Sequence, residues 1–245
     1  MLLYFWKENY MVNGIKIEIA CGTIDDVIAC LDYPVDRIEL TMALELGSLT
    51  TSIGELKRAK QLSPFEMACM VRPRGGALTC SKEASEVMFI DAEELLKAGA
   101  DAIVFGFIDE NTHEVNKELT KKMADLCHAY GKEAVFHKAS DQTPDFEKGV
   151  LDLIECGVDR VLTSAGKPKA ELLDGCKILA DMNDKYGDKI QFLVGGGISA
   201  DNIKEVVETS KCKQIHMTCK NRNEVDGYTY VDATQIKLFL DNLSK

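Results

Sequence analysis

The stretch Leu95-Leu96-Lys97-Ala98-Gly99-Ala100-Asp101-Ala102-Ile103-Val104-Phe105-Gly106 contains a complete structural transition. It reads as the end of a helix, a glycine in the C′ position, a short apolar run of strand length and a closing glycine. The same lead-in recurs before Arg37-Ile38-Glu39-Leu40, as Pro34-Val35-Asp36. It recurs again before Arg160-Val161-Leu162-Thr163, as Gly157-Val158-Asp159. A repeated strand-then-helix unit of this kind points to a parallel sheet covered by helices.

Working outward from that unit, periodicity predicts eight strands, over 15–20, 36–40, 66–71, 102–105, 133–137, 159–163, 190–194 and 214–217. Helices are predicted after each one. They cover 23–31, a segment opened by the capping-box pattern Ser52-Ile53-Gly54-Glu55, 87–98, 116–130, a segment from Thr143-Pro144 to Gly157, 169–186, 201–208 and 232–243. Thr143 is expected as N-cap, with Pro144 at N1. Eight such units in 245 residues, with no linker, predict an α/β chain forming a single (β/α)8 TIM barrel. An open doubly wound sheet is the competing arrangement, but it would leave two edges to protect. The barrel domain is assigned to residues 15–245, and residues 1–14 form an N-terminal extension carrying Trp6, the only tryptophan.

Composition excludes several classes of function. Lys plus Arg is 29 against 40 Asp plus Glu, a net charge of −11, which argues against a nucleic-acid partner. No apolar run reaches transmembrane length, so no membrane partner is expected. The nine cysteines are scattered, without a Cys-x-x-Cys pair, which fits reduced thiols in the cytoplasm.

Barrel ligands bind at the C-terminal ends of the strands. Alternation turns Ile17, Ile19, Ile38 and Leu40 toward the helices, and Lys16, Glu18, Arg37 and Glu39 toward the interior. Buried charges must pair. An interior network of Glu18, Glu39, Arg72, His137 and His216 is therefore expected, either filling the core or forming a site. His137, with Glu18 or Glu39, is the candidate acid–base set. In Met70-Val71-Arg72-Pro73-Arg74-Gly75-Gly76, the proline ends the strand and the glycines let the backbone approach a ligand. Arg72 and Arg74 are thus candidates for binding carboxylate or phosphate, joined by Ser164, the Gly195-Gly196-Gly197 run and His216. Arg72 could instead pair with a buried carboxylate. Lys138 has the parity opposite to His137 and is expected to point away from the interior. His113 and His128 are read as surface residues. Soft metal ligands near strand ends are Cys21, Met42, Cys69, Met70 and Cys80, with core packing as their ordinary role.

These residues resemble the CutC copper-homeostasis family. The resemblance runs from about Ile15 to about Met217. It is carried by Asp36 to Leu40, Met70 to Gly76, Gly99 to Asp101, Val104-Phe105-Gly106, Phe136-His137, Arg160 to Ser164 and Gly195 to Gly197. It implies a (β/α)8 barrel, a cytoplasmic homo-oligomer and a role in copper handling, with Cu(I) as the ion bound. Two cysteines proposed as Cu(I) ligands in some members fall at Ala20 and Thr41 here, leaving Cys21 and Cys80 as candidate metal ligands. The family's Phe-His-Arg-Ala-Phe-Asp reads Phe136-His137-Lys138-Ala139-Ser140-Asp141. The alternative function is a TIM-barrel enzyme acting on a small anionic or phosphorylated metabolite at the strand C-terminal ends. Whether the chain is an enzyme is left open by the sequence.

Overall fold

The computed structural model describes residues 12–221 and 230–244. Eight parallel strands close into a barrel in chain order. They are β1 (Lys16–Cys21), β2 (Arg37–Leu40), β3 (Glu66–Met70), β4 (Ala102–Phe105), β5 (Glu133–Phe136), β6 (Arg160–Thr163), β7 (Gln191–Val194) and β8 (Gln214–Met217). Helices follow each strand: α1 (Ile24–Ala29), α2 (Ile53–Leu62), α3 (Lys82–Lys97), α4 (Lys117–Ala129), α5 (Phe146–Glu155), α6 (Leu172–Tyr186), α7 (Ile203–Ser210) and α8 (Ala233–Leu243). This is the expected (β/α)8 barrel. No helix among the described residues is long and apolar enough to cross a membrane. Trp6 and most of the expected N-terminal extension lie outside the described residues. Asn13, inside them, donates its side-chain amide to the Leu243 carbonyl at 3.0 Å and ties the segment before β1 to the end of α8.

Most helices begin where a side chain can take an orphan backbone N–H. Ser52, Ser81, Asn116, Asp145 and Asp232 all do so. The reciprocal capping box is at Thr23–Asp26. At Ser52 the structure shows the bond from the Glu55 amide to the serine hydroxyl. Thr143 is not the N-cap of α5, as the Thr143-Pro144 reading has it. A 3-10 turn over Lys138–Gln142 intervenes, Thr143 donates back to the Ser140 carbonyl at 2.8 Å, and Asp145 caps the helix. Helix α3 begins at Lys82 rather than at 87, because Ser81 accepts the Ala84 amide.

Two apolar layers result. The larger lies between barrel and helices and includes Ile17, Ile19, Ile38, Leu40, Met67, Ile103, Phe136 and Ile215. The smaller lies inside the barrel on the β3–β5 side: Ala68, Met70, Ala102, Val104 and Val135. Ala20, Leu162 and Leu193 are buried outside both clusters, and the charged groups of the interior pair with one another. At the N-terminal mouth Lys16 pairs with Glu66 at 2.8 Å and Arg160 with Glu133 at 2.6 Å. Gln214 accepts from Arg37 at 2.7 Å and from Arg160 at 3.4 Å. This layer closes one end of the barrel.

Candidate functional site

At the C-terminal mouth lies a cavity of about 510 Å³. Its walls include Glu39, Met70, Arg72, His137, Lys138, Leu162, Ser164, Lys167 and His216.

The parallel register places Glu18 beside His216 and Ala20 beside Glu39. Strand alternation then turns Glu18, Glu39 and His216 inward together. Glu18 uses both oxygens: one accepts from the Arg37 guanidinium, and the other pairs with His216 Nδ1 at 2.7 Å. Burial alone would raise the Glu18 carboxyl, but Arg37 and His216 outweigh it and hold it well below the ordinary carboxylate range. For His216, burial works against the charged ring, yet the Glu39 and Glu18 carboxylates prevail and keep it above its usual value. For Glu39 the compensation is too small. Burial, and then the Glu18 charge, push it up to about 7 against the opposing pull of His216. Its closest approach to His216 Nε2 is 4.0 Å.

The expected five-residue network is therefore corrected in two members. Glu18, Glu39 and His216 come together, with Arg37 as their guanidinium. Arg72 does not join them. It stands just past the end of β3, and its guanidinium reaches across the mouth to the carbonyls of Gly47 and, at 2.7 Å, Gly76. His137 also stands apart. It caps the 3-10 turn, its Nδ1 accepting the Ala139 amide at 3.1 Å. Burial and the nearby Arg72 charge lower it to about 4, so the ring is neutral and its proton sits on Nε2. Gly106 makes this possible, because a Cβ there would run into the His137 ring.

The anion-binding candidates scatter. Arg72 and Ser164 line the cavity. Arg74 turns away and donates to the carbonyls of Gly75, Ala77 and Thr79. Gly195, Gly196 and Gly197 do not line the cavity but stand behind it. Gly196 is the informative one: its φ is +94°, and a Cβ would meet Lys138 Nζ at 2.7 Å.

Lys138 was expected to point away from the interior, and the structure overturns this. The residue has left the strand and opens the 3-10 turn, so strand parity no longer governs it. Its ammonium pairs with Asp141 and donates to Ser164 Oγ at 2.7 Å, on the cavity wall. Asp141, absent from the sequence-derived candidates, is the hub of this corner. It accepts from Thr163, from the Ser164 amide and hydroxyl, and from the Gly166 amide at 2.9 Å. A signal existed, since Asp141 stands where the resembled motif ends in aspartate. Lys167 was also missed, being a loop lysine with no periodicity to mark it.

Among the described residues, Glu18, Glu39 and His216 bring one donor atom each within 4.8 Å of one another, close enough to hold a metal ion. Their donors are two hard carboxylates and a borderline imidazole, and both Glu18 oxygens are already engaged. The soft donors lie elsewhere. Cys21, at the end of β1, faces outward, with its sulfur 4.0 Å from that of Cys30 at the end of α1. Cys219, beyond β8, is buried too; burial and then Cys30 push its thiol up, and Cys219 in turn helps raise Cys21. Cys80 is half-buried in the β3–α3 loop beside Arg74.

The CutC family model matches residues 15–221. A CutC family protein of Treponema denticola is 35% identical over 213 residues, covering 87% of this chain and 85% of the relative. A human protein named copper homeostasis protein cutC homolog is 30% identical over 212 residues, covering 86% of this chain and 76% of the relative. The crystal structure of a putative copper homeostasis protein CutC from Streptococcus agalactiae superposes with a TM-score of 0.77. It is 25% identical, covering 83% of this chain and 98% of that one. With the family model matching residues 15–221 and relatives of this identity and coverage, the chain belongs to the CutC family.

Proposed function

We propose that the chain acts in copper homeostasis, as the name of its human relative states for that protein, and that it holds Cu(I) on Cys21 and Cys30 with Cys219 beside them. The observation that carries this reading is the 4.0 Å separation of the Cys21 and Cys30 sulfurs. That lies within the span of two metal–thiolate bonds of about 2.3 Å each. Thiolates select Cu(I), whereas the carboxylate–imidazole group at the mouth suits harder divalent ions. Burial, then Cys30 and Asp26, raise the Cys21 thiol well above its ordinary value, so loading releases a proton and tightens as pH rises. All nine cysteines are free, which fits a cytoplasmic role for reduced thiols.

The test is an anaerobic titration of reduced, metal-free protein with Cu(I) against a competing chelator. The wild type should withdraw copper from the chelator. Cys21→Ser and Cys30→Ser, checked for folding by circular dichroism, should fail to do so, while Cys80→Ser succeeds. A wild type that cannot compete, or serine variants at positions 21 and 30 that compete equally well, would overturn the reading.

A further inference from the structure

Copper binding by thiols leaves the mouth cavity unused, and the cavity is built for something larger than an ion. At about 510 Å³ it falls within the range of small-molecule sites. Among the described residues, two that line it carry a buried polar atom the fold does not satisfy, Arg72 Nε and Glu39 Oε1. Glu39 is 2% exposed, and its Oε1 has no hydrogen-bond partner. A buried acceptor left this way is destabilising unless something else supplies the partner. The groups facing it are His216 on β8, Glu18 on β1 and Arg37 two residues back on β2. The neighbouring strand β3 offers only Ala68 and Met70. On the same cavity, His137 keeps Nδ1 for the Ala139 amide and presents a neutral imidazole with its proton on Nε2. The rim carries Arg72, Lys138 and Lys167; Lys138 is paired with Asp141 and Lys167 stands 3.9 Å from Glu171, whereas the Arg72 guanidinium is held by the Gly47 and Gly76 carbonyls and is the charge that favours an anion.

We propose that the cavity takes a small hydroxy-carbonyl metabolite bearing a phosphate or carboxylate, and that Glu39 moves a proton between its adjacent carbons. The Glu39 carboxylate removes the proton next to the carbonyl. The C–H electron pair becomes the carbon–carbon double bond of an enediolate, whose oxygen is held by His137 Nε2–H. The proton returns to the neighbouring carbon while the hydroxyl proton passes between the two oxygens. The product is an isomer, nothing is oxidised or reduced overall, and no co-reactant is needed. A buried carboxyl that titrates near 7 suits this task. The inference is independent of the copper reading.

The experiment uses ribose 5-phosphate as the probe, with copper-free protein in D2O, and follows deuterium entry at C2 by proton NMR. The wild type should catalyse exchange. Glu39→Gln, confirmed as folded by circular dichroism, should be slower by at least about 100-fold, the lower end for loss of a general base. Glu39→Asp should recover part of the rate, and His137→Gln should lower it. Ribose without the phosphate should exchange more slowly. Absence of exchange above the buffer rate in the wild type, or equal rates in wild type and Glu39→Gln, would overturn the proposal. Equal rates for ribose and its phosphate would remove the anion requirement. None of these outcomes touches the copper titration, so the two readings fail separately.

Discussion

His137 and His216 share one cavity but are shifted in opposite directions from the ordinary histidine value, and their surroundings explain why. His216 has two carboxylates against it, whereas His137 has burial and Arg72. The consequence for stability can be signed. The folded His137 declines a proton that the unfolded chain accepts below about 6.5. Its contribution is therefore complete above 6.5 and declines by about 3 kcal/mol as pH falls to about 4. His216 works the other way: its raised folded value gives stability below 6.5 that is lost as pH rises through that value. Glu39, raised to about 7, likewise favours the folded state at lower pH. The difference between wild type and His137→Gln isolates one group from this background. Urea unfolding at about pH 7.5 and about pH 4.5 should show the wild type losing about 2–3 kcal/mol more than the variant on acidification. Parallel losses would mean that His137 titrates normally in the fold. Sequence placed both histidines at strand ends. It could not assign their charges, because those depend on which groups the register brings alongside.

The loops at the mouth are where reading by element ran out. Strand positions 16–40 followed period two, and Glu18, Arg37 and Glu39 turned inward as that period requires. Beyond the strand ends the rule lapses. Lys138 reversed its expected direction because a 3-10 turn replaces the strand after Phe136. Arg72 illustrates the other failure. Its side chain looked like an anion fork, but its Nη groups hold Gly47 and Gly76, carbonyls from the loops after β2 and β3. Thr50 adds to the same seam: its hydroxyl accepts the Arg72 amide at 2.9 Å, and its own amide donates to the Arg72 carbonyl at 2.9 Å. No local pattern encodes a bond across twenty-five positions. Arg72→Ala should therefore leave the barrel folded and loosen both loops. Hydrogen exchange should accelerate in residues 43–50 and 74–79, with a loss of about 1–3 kcal/mol for the charged hydrogen bonds. Unchanged protection there would remove Arg72 as the strap between the loops.

At the scale of the whole molecule, the interior is divided between an apolar side on β3–β5 and an ionic side on β8, β1 and β2. The eight-unit repeat made the barrel legible, since the order and type of its strands and helices follow from periodicity even where a boundary shifts, as at the start of α3. The division did not show, because it depends on pairings such as Arg37 with Gln214, 177 positions apart. Glu18 is the keystone of the ionic side. Glu18→Ala would leave Arg37, 1% exposed, without its main counter-charge, a change that typically costs about 3–5 kcal/mol. The double variant Glu18→Leu with Arg37→Met should be more stable than the single one in guanidinium denaturation, since Arg37 is then no longer a buried charge without its counter-ion. A single variant as stable as the double would show that Gln214 and Glu66 suffice for Arg37.

The claim that assigns the family's copper role to particular atoms is the thiol pair of Cys21 and Cys30. Copper-edge X-ray absorption on the Cu(I)-loaded wild type tests it most directly. A coordination sphere of sulfur alone is the predicted result. Nitrogen and oxygen neighbours in place of sulfur would contradict it and move the copper to His216, Glu39 and Glu18 at the mouth.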